Sequence, residues 1–399
     1  MELAGLAIAF TLIFVLRLRD FNYALTILIA CLIIGLTSGK SLSIFPDVLM
    51  MTIADTRTRE ICAAVALITL LGYVLKETGM IVKLIGNLRG FIPSRVLVAL
   101  IPAIFGVLSM PGGALISAPF NEPEADRLGL EPAQRTFMNV WFRHVWYWAS
   151  PISPATILAV SMAGLALRDF IFVNVVLFLM SWLVGFLISW KFMRENEVTL
   201  VKEKNYLATL RGISPIAVAL ILSFLEVPVW LAVAAGIALV FLLQQVSVAK
   251  MLESLLKGIN WDIVAAVFAT LFFRYMLTST GYITTLLRDV ISTGVPLMLL
   301  LIVVPPLVGA IAGTPTIGIG ICFPLLLPVI PAPDIATVTI MFAGITTGYM
   351  ASPLHLCLVL TNQYYKSSLK EVYRYLVPAS FVLYAFALVY HLLRMHIQG

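Results

Sequence analysis

Apolar runs of about the length that spans a bilayer core, on the order of 20 residues, recur along the whole chain, separated by short polar joints. The first half reads as helices near 3–17, 22–38 and 60–77, with a loop over 39–59. A Gly/Pro-interrupted hairpin follows near 95–120, then a broken helix over 137–163 and a helix over 170–191. The second half reads as helices near 212–225, 228–246 and 261–278, a hairpin near 294–330, a broken helix over 337–362 and a last helix over 375–394. The polar stretch RENEVTLVKEKNYLATLR, Arg194 to Arg211, separates them.

The two halves match each other at an offset of 202 residues. EICAAVALITLLGYVLKETGMIVKL from Glu60 aligns with DIVAAVFATLFFRYMLTSTGYITTL from Asp262, sharing among others Ala63/Ala265, Tyr73/Tyr275 and Gly79/Gly281. WYWASPISP, Trp146 to Pro154, aligns with GYMASPLHL, Gly348 to Leu356, through Tyr147/Tyr349, Ser150/Ser352 and Pro151/Pro353. Between them PAIFGVLSMPGG from Pro102 pairs with PPLVGAIAGTPT from Pro305, looser by a residue or two. Three matches in one order predict an internal duplication. The expected division is repeat 1 over 1–192, a cytoplasmic linker over 193–211 and repeat 2 over 212–399.

Composition agrees with the pattern. Of 399 residues, 61% are hydrophobic and 12% charged, about half the charge of a soluble protein; mean hydropathy is +1.02. The period-two alternation of a transmembrane barrel is absent, so the expected class is an all-α polytopic membrane protein. Leu3 to Leu16 lacks a basic flank and a small-residue cleavage site and reads as a membrane helix rather than a signal peptide. Cys31, Cys62, Cys322 and Cys357 all fall in apolar segments without metal-ligand spacing and read as small core residues. The net charge of +6 is explained by cytoplasmic loops rather than by nucleic acid.

A re-entrant hairpin does not cross, so each half makes five crossings, about ten in all plus two hairpins, and an odd number inverts the second copy. With both termini outside, eighteen of the 26 lysines and arginines lie on the cytoplasmic side against six outside, with Arg143 and Arg274 within helices. That bias orients the chain in a cytoplasmic membrane.

Backbone without partners costs several kcal/mol per group in hydrocarbon, so irregular segments survive only where protein buries them or they line a wet cavity. Pro151 and Pro154 remove donors, and Ser150 and Ser153 can bond the freed groups. Half-helix N-termini favour anions, while carbonyl ends suit cations. The hairpin tips, Ser109 to Gly113 (SMPGG) and Gly313 to Thr316 (GTPT), offer the same chemistry. Interrupted segments in corresponding positions of two inverted halves point to a transporter's binding site. The site expected here takes Ser109, Pro111, Gly112 and Gly113 from one tip and Thr314 and Thr316 from the other. The breaks add Asn139, Arg143, His144, Ser150, Pro151, Ser153, Ser352, Pro353 and His355.

The arrangement resembles the ion transporter superfamily, which contains citrate, gluconate and dicarboxylate permeases. Within it the whole chain looks like an uncharacterised prokaryotic integral-membrane family. The resemblance rests on LSMPGGALISAPF (Leu108 to Phe120), the Thr-Gly ends of the third helices and the paired Ala-Ser-Pro breaks. It implies a homodimer in which a transport domain moves against a fixed scaffold, an elevator carrying anions with sodium or protons. The Ser-Asn-Thr signature of the sodium/dicarboxylate branch is replaced by Ser-Met-Pro-Gly-Gly and Gly-Thr-Pro-Thr.

All twenty acidic residues sit at segment ends, in loops or in the linker, which leaves no mid-membrane carboxylate for a proton relay. Sodium held by carbonyls with Ser150, Thr314 and Ser352 is the expected coupling ion; protons through His144 and His355 are the runner-up. No other cofactor is expected. Arg143 either grips a carboxylate or phosphate through its planar fork or snorkels to the cytoplasmic interface. Trp141, Trp146, Tyr147 and Trp148 line the cavity or, in part, face lipid as ordinary packing. NEPEADRLGLE, Asn121 to Glu131, fits no calcium loop and reads as a solvated turn. The leading function is a secondary transporter of a small anion, an organic acid by preference. A flippase for a lipid-linked phosphate is the first rival. An intramembrane enzyme is the second, lacking any paired nucleophile and base.

Overall fold

The computed structural model describes residues 2–19, 21–108, 113–193, 205–282, 294–330 and 332–398. Among them every regular element is a helix. The first part of the chain forms α1 (Glu2–Leu18), α2 (Tyr23–Thr37), α3 (Ile44–Ala54), α4 (Thr56–Glu77) and α5 (Met80–Leu88). The hairpin arms α6 (Ser94–Val107) and α7 (Gly113–Arg127) come next, then α8 (Pro132–Arg143), α9 (Pro154–Ala163) and α10 (Leu167–Ser189). The second part forms α11 (Tyr206–Phe224), α12 (Val229–Leu243), α13 (Val248–Lys257) and α14 (Trp261–Thr280). It ends with the arms α15 (Leu297–Ala312) and α16 (Pro315–Leu326), then α17 (Ile335–Met350), α18 (Leu356–Tyr365) and α19 (Leu369–Gln398).

Three of these helices are not anticipated by the hydrophobic runs. α3 occupies the expected loop 39–59, and a single residue, Asp55, ends it and starts α4. The Asp55 carboxylate accepts from the Thr58 amide at 2.8 Å and from its hydroxyl at 2.7 Å, an N-cap that satisfies otherwise orphaned donors. α5 buries Met80, Ile81, Leu84, Ile85 and Leu88, a single stripe at helical spacing, against α11. α13 instead leaves Leu252, Leu255 and Leu256 exposed. α11 begins at Tyr206, capped by Asn205 accepting from the Ala208 amide at 2.9 Å, so helix replaces the last part of the expected linker 193–211. Residues 194–204 of that linker lie outside the described residues.

Five helices, α4, α10, α11, α14 and α19, are long and apolar enough to cross a membrane. The outer helices carry Phe172, Leu187 and Phe381, each more than 60% exposed, a surface that suits lipid as solvent. α9, α16 and α17 are buried nearly all round, as helices at the centre of a bundle are.

Packing divides the helices into two sets. α1–α5 pack chiefly among themselves and with α11–α14; α6–α10 pack chiefly among themselves and with α15–α19. The sets meet mainly through α14 on α16, α4 on α9 and α1 on α15.

The acidic stretch is helical rather than a solvated turn, because α7 runs on to Arg127. Glu124 within it is fully buried. Its carboxylate accepts from Arg89 at 2.9 Å, Arg127 at 3.2 Å and the Ser94 hydroxyl at 2.6 Å. Arg89 also donates to the Phe120 carbonyl at 2.7 Å, which ties α5 and both arms of the first hairpin together. Removing one partner of a buried ion pair strands the other and costs about 3–5 kcal/mol. Arg89→Ala, which takes the closer arginine from the fully buried Glu124 carboxylate, is therefore expected to lose stability on that scale, read from the unfolding midpoint in detergent. Arg127→Ala, at a partner that is 38% exposed, should lose no more than about 1 kcal/mol. Equal losses would remove the buried-carboxylate account.

Candidate functional site

The site is built from helix ends. α8 stops at Arg143, with the His144 amide donating to the Trp141 carbonyl at 3.0 Å. A single 3-10 turn, Val145–Trp148, and a further turn over 149–152 then lead to Ser153. Ser153 caps α9, its hydroxyl accepting from the Thr156 amide at 3.4 Å, and Pro154 takes the first helical position, where a missing N–H costs nothing. The Thr156 hydroxyl donates to the Tyr147 carbonyl at 3.1 Å, so one of the carbonyls in the break has a partner.

The tip of the second hairpin repeats this chemistry. α15 ends at Gly313, whose φ of +72° is the left-handed conformation that glycine adopts without strain. Thr314 caps α16, accepting from the Ile317 amide at 3.2 Å, and Pro315 follows. α9 and α16 pack on each other, and both N-termini open on one cavity of about 350 Å³. Its wall includes Arg143, His144, Trp146, Tyr147, Ser150, Thr316, Tyr349 and Cys357; Asn22–Ala24 and Asp262, Ile263 and Ala266 contribute from the other helix set.

Arg143 is only 6% exposed, so it does not run out to an interface. Its guanidinium lies against the α-carbon of Gly113, where any side chain would collide with it. Gly106 sits against the backbone carbonyl of Arg143, so small residues on both arms of the first hairpin let the arginine into the interior. The cavity is thus bordered by a buried cation and two helix N-termini, a combination that favours an anion.

Two histidines flank Arg143. His144 directs Nδ1 to the Val140 carbonyl at 2.6 Å, while the Tyr349 hydroxyl lies 3.4 Å from its Nε2. His355 is fully buried, with Nδ1 at 3.4 Å from the Met350 carbonyl and Nε2 without a hydrogen-bond partner. The two imidazole centroids are 4.7 Å apart, and Tyr349 stands 4.0 Å from His355.

Other sequence-derived candidates divide. Ser150, Ser153, Thr314 and Thr316 line the cavity, and the buried Ser150 hydroxyl has no hydrogen-bond partner. Gly113 supports Arg143. Pro151 is buried but is not part of the cavity wall. Asn139 is also elsewhere: its amide donates to the Ala114 carbonyl at 2.9 Å and to Thr361 at 3.2 Å, and it accepts from Ser117 at 2.7 Å. Ser352 donates to the Ala310 carbonyl and accepts from the Leu354 amide, and Pro353 is exposed. Of the three hydroxyls offered for sodium, Ser150 and Thr314 therefore share the cavity and Ser352 turns away. Ser109, Pro111 and Gly112 lie outside the described residues.

Among the tryptophans, Trp146 faces the cavity, whereas Trp141 and Trp148 are core. Sequence reasoning missed Tyr349 and Cys357. Tyr349 was in view as the match of Tyr147, and Cys357 stands two residues after His355; only proximity across the fold gives either a role.

A bundle of helices interrupted at a buried, arginine-bearing cavity defines a polytopic membrane protein. The chain belongs to the family described as "Protein of unknown function (DUF401)", which matches residues 2–393. No curated protein matches it. Among solved structures, its fold is similar to that of the Alcanivorax borkumensis YdaH transporter, described as having an unusual topology. The TM-score is 0.61, with 15% identity and 88% of each chain covered.

Gly106 and Gly309 each press on a backbone carbonyl, that of Arg143 and of Ile345 respectively. Backbone cannot swing away, so Gly106→Ala and Gly309→Ala should each cost about 1–3 kcal/mol through overpacking. Gly86→Ala in α5, with nothing within 4 Å, should instead gain about 0.5–1 kcal/mol. Unfolding midpoints test the contrast, and a neutral Gly106→Ala would show that the crossing is loose.

Proposed function

We propose that this protein is a secondary transporter that carries a small anion, an organic acid by chemistry, across the cytoplasmic membrane by alternating access. The observation that carries the reading is the meeting of buried Arg143 with the N-termini of α9 and α16 at one cavity. Arginine supplies a planar, permanently charged fork for a carboxylate. Backbone dipoles add attraction without a second buried charge. The fold likeness to a transporter and the expected kinship with the ion transporter superfamily point the same way.

Internal symmetry supports alternating access. α9 and α18 begin 202 residues apart, at Pro154 and Leu356. α2 packs on α14 as α12 packs on α4, the exchange expected of two inverted copies. A second cavity, of about 270 Å³, is lined by Glu60, Ile61 and Ala64. Their counterparts at the same offset, Asp262, Ile263 and Ala266, line the first. With both termini outside and ten crossings, the first cavity opens to the cytoplasm and the second to the exterior.

Both cavities lie between the two helix sets, with α4 and α12 facing α9 in one, and α2 and α14 facing α9 and α16 in the other. In an elevator, α1–α5 and α11–α14 form the scaffold, as one protomer of a homodimer, and the hairpins and broken helices form the moving part. Sodium at Ser150 and Thr314 is the coupling ion of this reading.

A thermal-shift screen of purified protein against organic and inorganic anions, with and without sodium, tests it. A ligand at about 100 times its Kd stabilises by about 2.7 kcal/mol. Wild type should show that shift with an organic acid and Arg143→Ala should lose it, while Arg274→Ala keeps it. A shift equal in wild type and Arg143→Ala would overturn the site; no shift with any anion would overturn the substrate class.

A further inference from the structure

Among the described residues, one group of three His, Cys, Asp or Glu side chains brings its ligand atoms close enough to share an ion: His144, His355 and Cys357, all within 4.8 Å of one another. His144 follows the end of α8, His355 ends the link before α18, and Cys357 lies in the first turn of α18. Two separate chain interruptions thus converge on one point. We infer that these three side chains form a site for a zinc-type divalent cation, reached from the cavity.

The donor set selects the metal class. Two imidazoles and a thiol are borderline-to-soft ligands that suit zinc, whereas sodium, magnesium and calcium require oxygen. The surroundings already hold the ring of His144 as a metal ligand needs. Its Nδ1–H donates to the Val140 carbonyl at 2.6 Å, which leaves Nε2 as the basic nitrogen, the outer-shell pattern of metal-bound histidine. In His355 the Nε2 atom is buried and has no hydrogen-bond partner. A buried polar atom without a partner is costly, and a metal ion would satisfy it. Cys357 and His144 both line the cavity, so an ion has an entry path.

Size is consistent with a small adjustment. Zn–N bonds of about 2.0–2.1 Å and Zn–S bonds of about 2.3 Å in a tetrahedron place ligand atoms roughly 3.3–3.7 Å apart. The cluster therefore contracts by about 1 Å on binding, within reach of rotation at Cys357. Coordination deprotonates the thiol: the Zn–S bond forms, the S–H bond breaks, and about one proton per ion passes to water.

Three protein ligands leave one coordination position open. The thiolate offsets one of the two charges on the metal, and Arg143 adds another positive charge beside it. An anion in the fourth position is then favoured. That last step rests on the anion-transport reading; the binding of the metal does not.

The test uses the full-length protein in detergent, stripped with a chelator and given no organic anion. Titration with Co2+ should show one equivalent bound with a thiolate-to-cobalt charge-transfer band that Zn2+ abolishes. Cys357→Ser should lose the band, Cys62→Ser should keep it, and His355→Ala should weaken binding roughly 10- to 100-fold or more. In wild type, independent of any variant, Zn2+ should slow alkylation of Cys357 and leave Cys62 unchanged. Absence of the band, its survival in Cys357→Ser, or equal Cys357 alkylation with and without Zn2+ would overturn the site. If the metal site fails, the anion screen still stands or falls on Arg143 alone.

Discussion

Hydrocarbon offers no hydrogen bonds, so a chain that interrupts its helices must supply every partner from itself. That constraint organises this protein. Its breaks lie among helices buried nearly all round, and two of the new N-termini are closed by a local hydroxyl: Ser153 for α9 and Thr314 for α16. Proline at the first position of both helices removes a donor that would otherwise need a partner. Close packing then follows as a requirement. Glycines 106 and 309 bring their arms against neighbouring carbonyls, and hydrogen bonds such as Trp141 to the Ser181 carbonyl at 2.9 Å lock outer helices to the core.

The two charged side chains that are buried among the described residues, Glu124 and Arg143, answer that constraint differently. Glu124 is neutralised by a pair of arginines and a serine at the base of the first hairpin, an arrangement that joins three helices. Arg143 lies at the hairpin's other end, in a recess made by the absence of a side chain at Gly113. Between these points, Tyr365 donates to the Ala118 carbonyl at 2.9 Å and Tyr364 to Glu122 at 2.8 Å, coupling α7 to α18. The segment that carries Cys357 and follows His355 is thus tied to the arm that abuts Arg143. Any displacement of that hairpin acts on the cavity from both sides.

The helical membrane class was legible in the sequence because apolar runs of membrane length leave few alternatives, and Pro154 and Pro315 mark helix starts by removing donors. The short helices were not legible. α3 has eleven residues and shares its terminal aspartate with α4, and the stripe of α5 is hidden in a run that also contains Lys83 and Asn87. Glu124 read as solvated because charge in a turn usually is; its burial depends on Arg89, 35 residues away. At the site, Arg143 and the two capping hydroxyls could be found from local pattern. The turning away of Ser352 could not, since its orientation is set by the Ala310 carbonyl. Cys357 looked like core packing because its significance lies wholly in His144, more than 200 positions distant.

On the duplicated reading, the two halves share backbone logic and differ in chemistry at the point that matters. The carbonyls met by Gly106 and Gly309 belong to Arg143 and Ile345, residues that correspond at the offset of 202, so the crossing is kept while the charge is not. Likewise His144 corresponds to Thr346, His355 to Ser153 and Cys357 to Ala155. In the transporter proposed above, symmetry serves the motion, because two inverted copies make inward and outward states nearly equal in energy. In the same proposal asymmetry serves the ligand, since a second arginine facing the first would raise the cost of burying charge without giving a small anion a second carboxylate to present. One arginine at the paired crossings rather than two is the lower-energy arrangement in a low-dielectric interior, and it leaves the Ala-Ser-Pro breaks common to both halves.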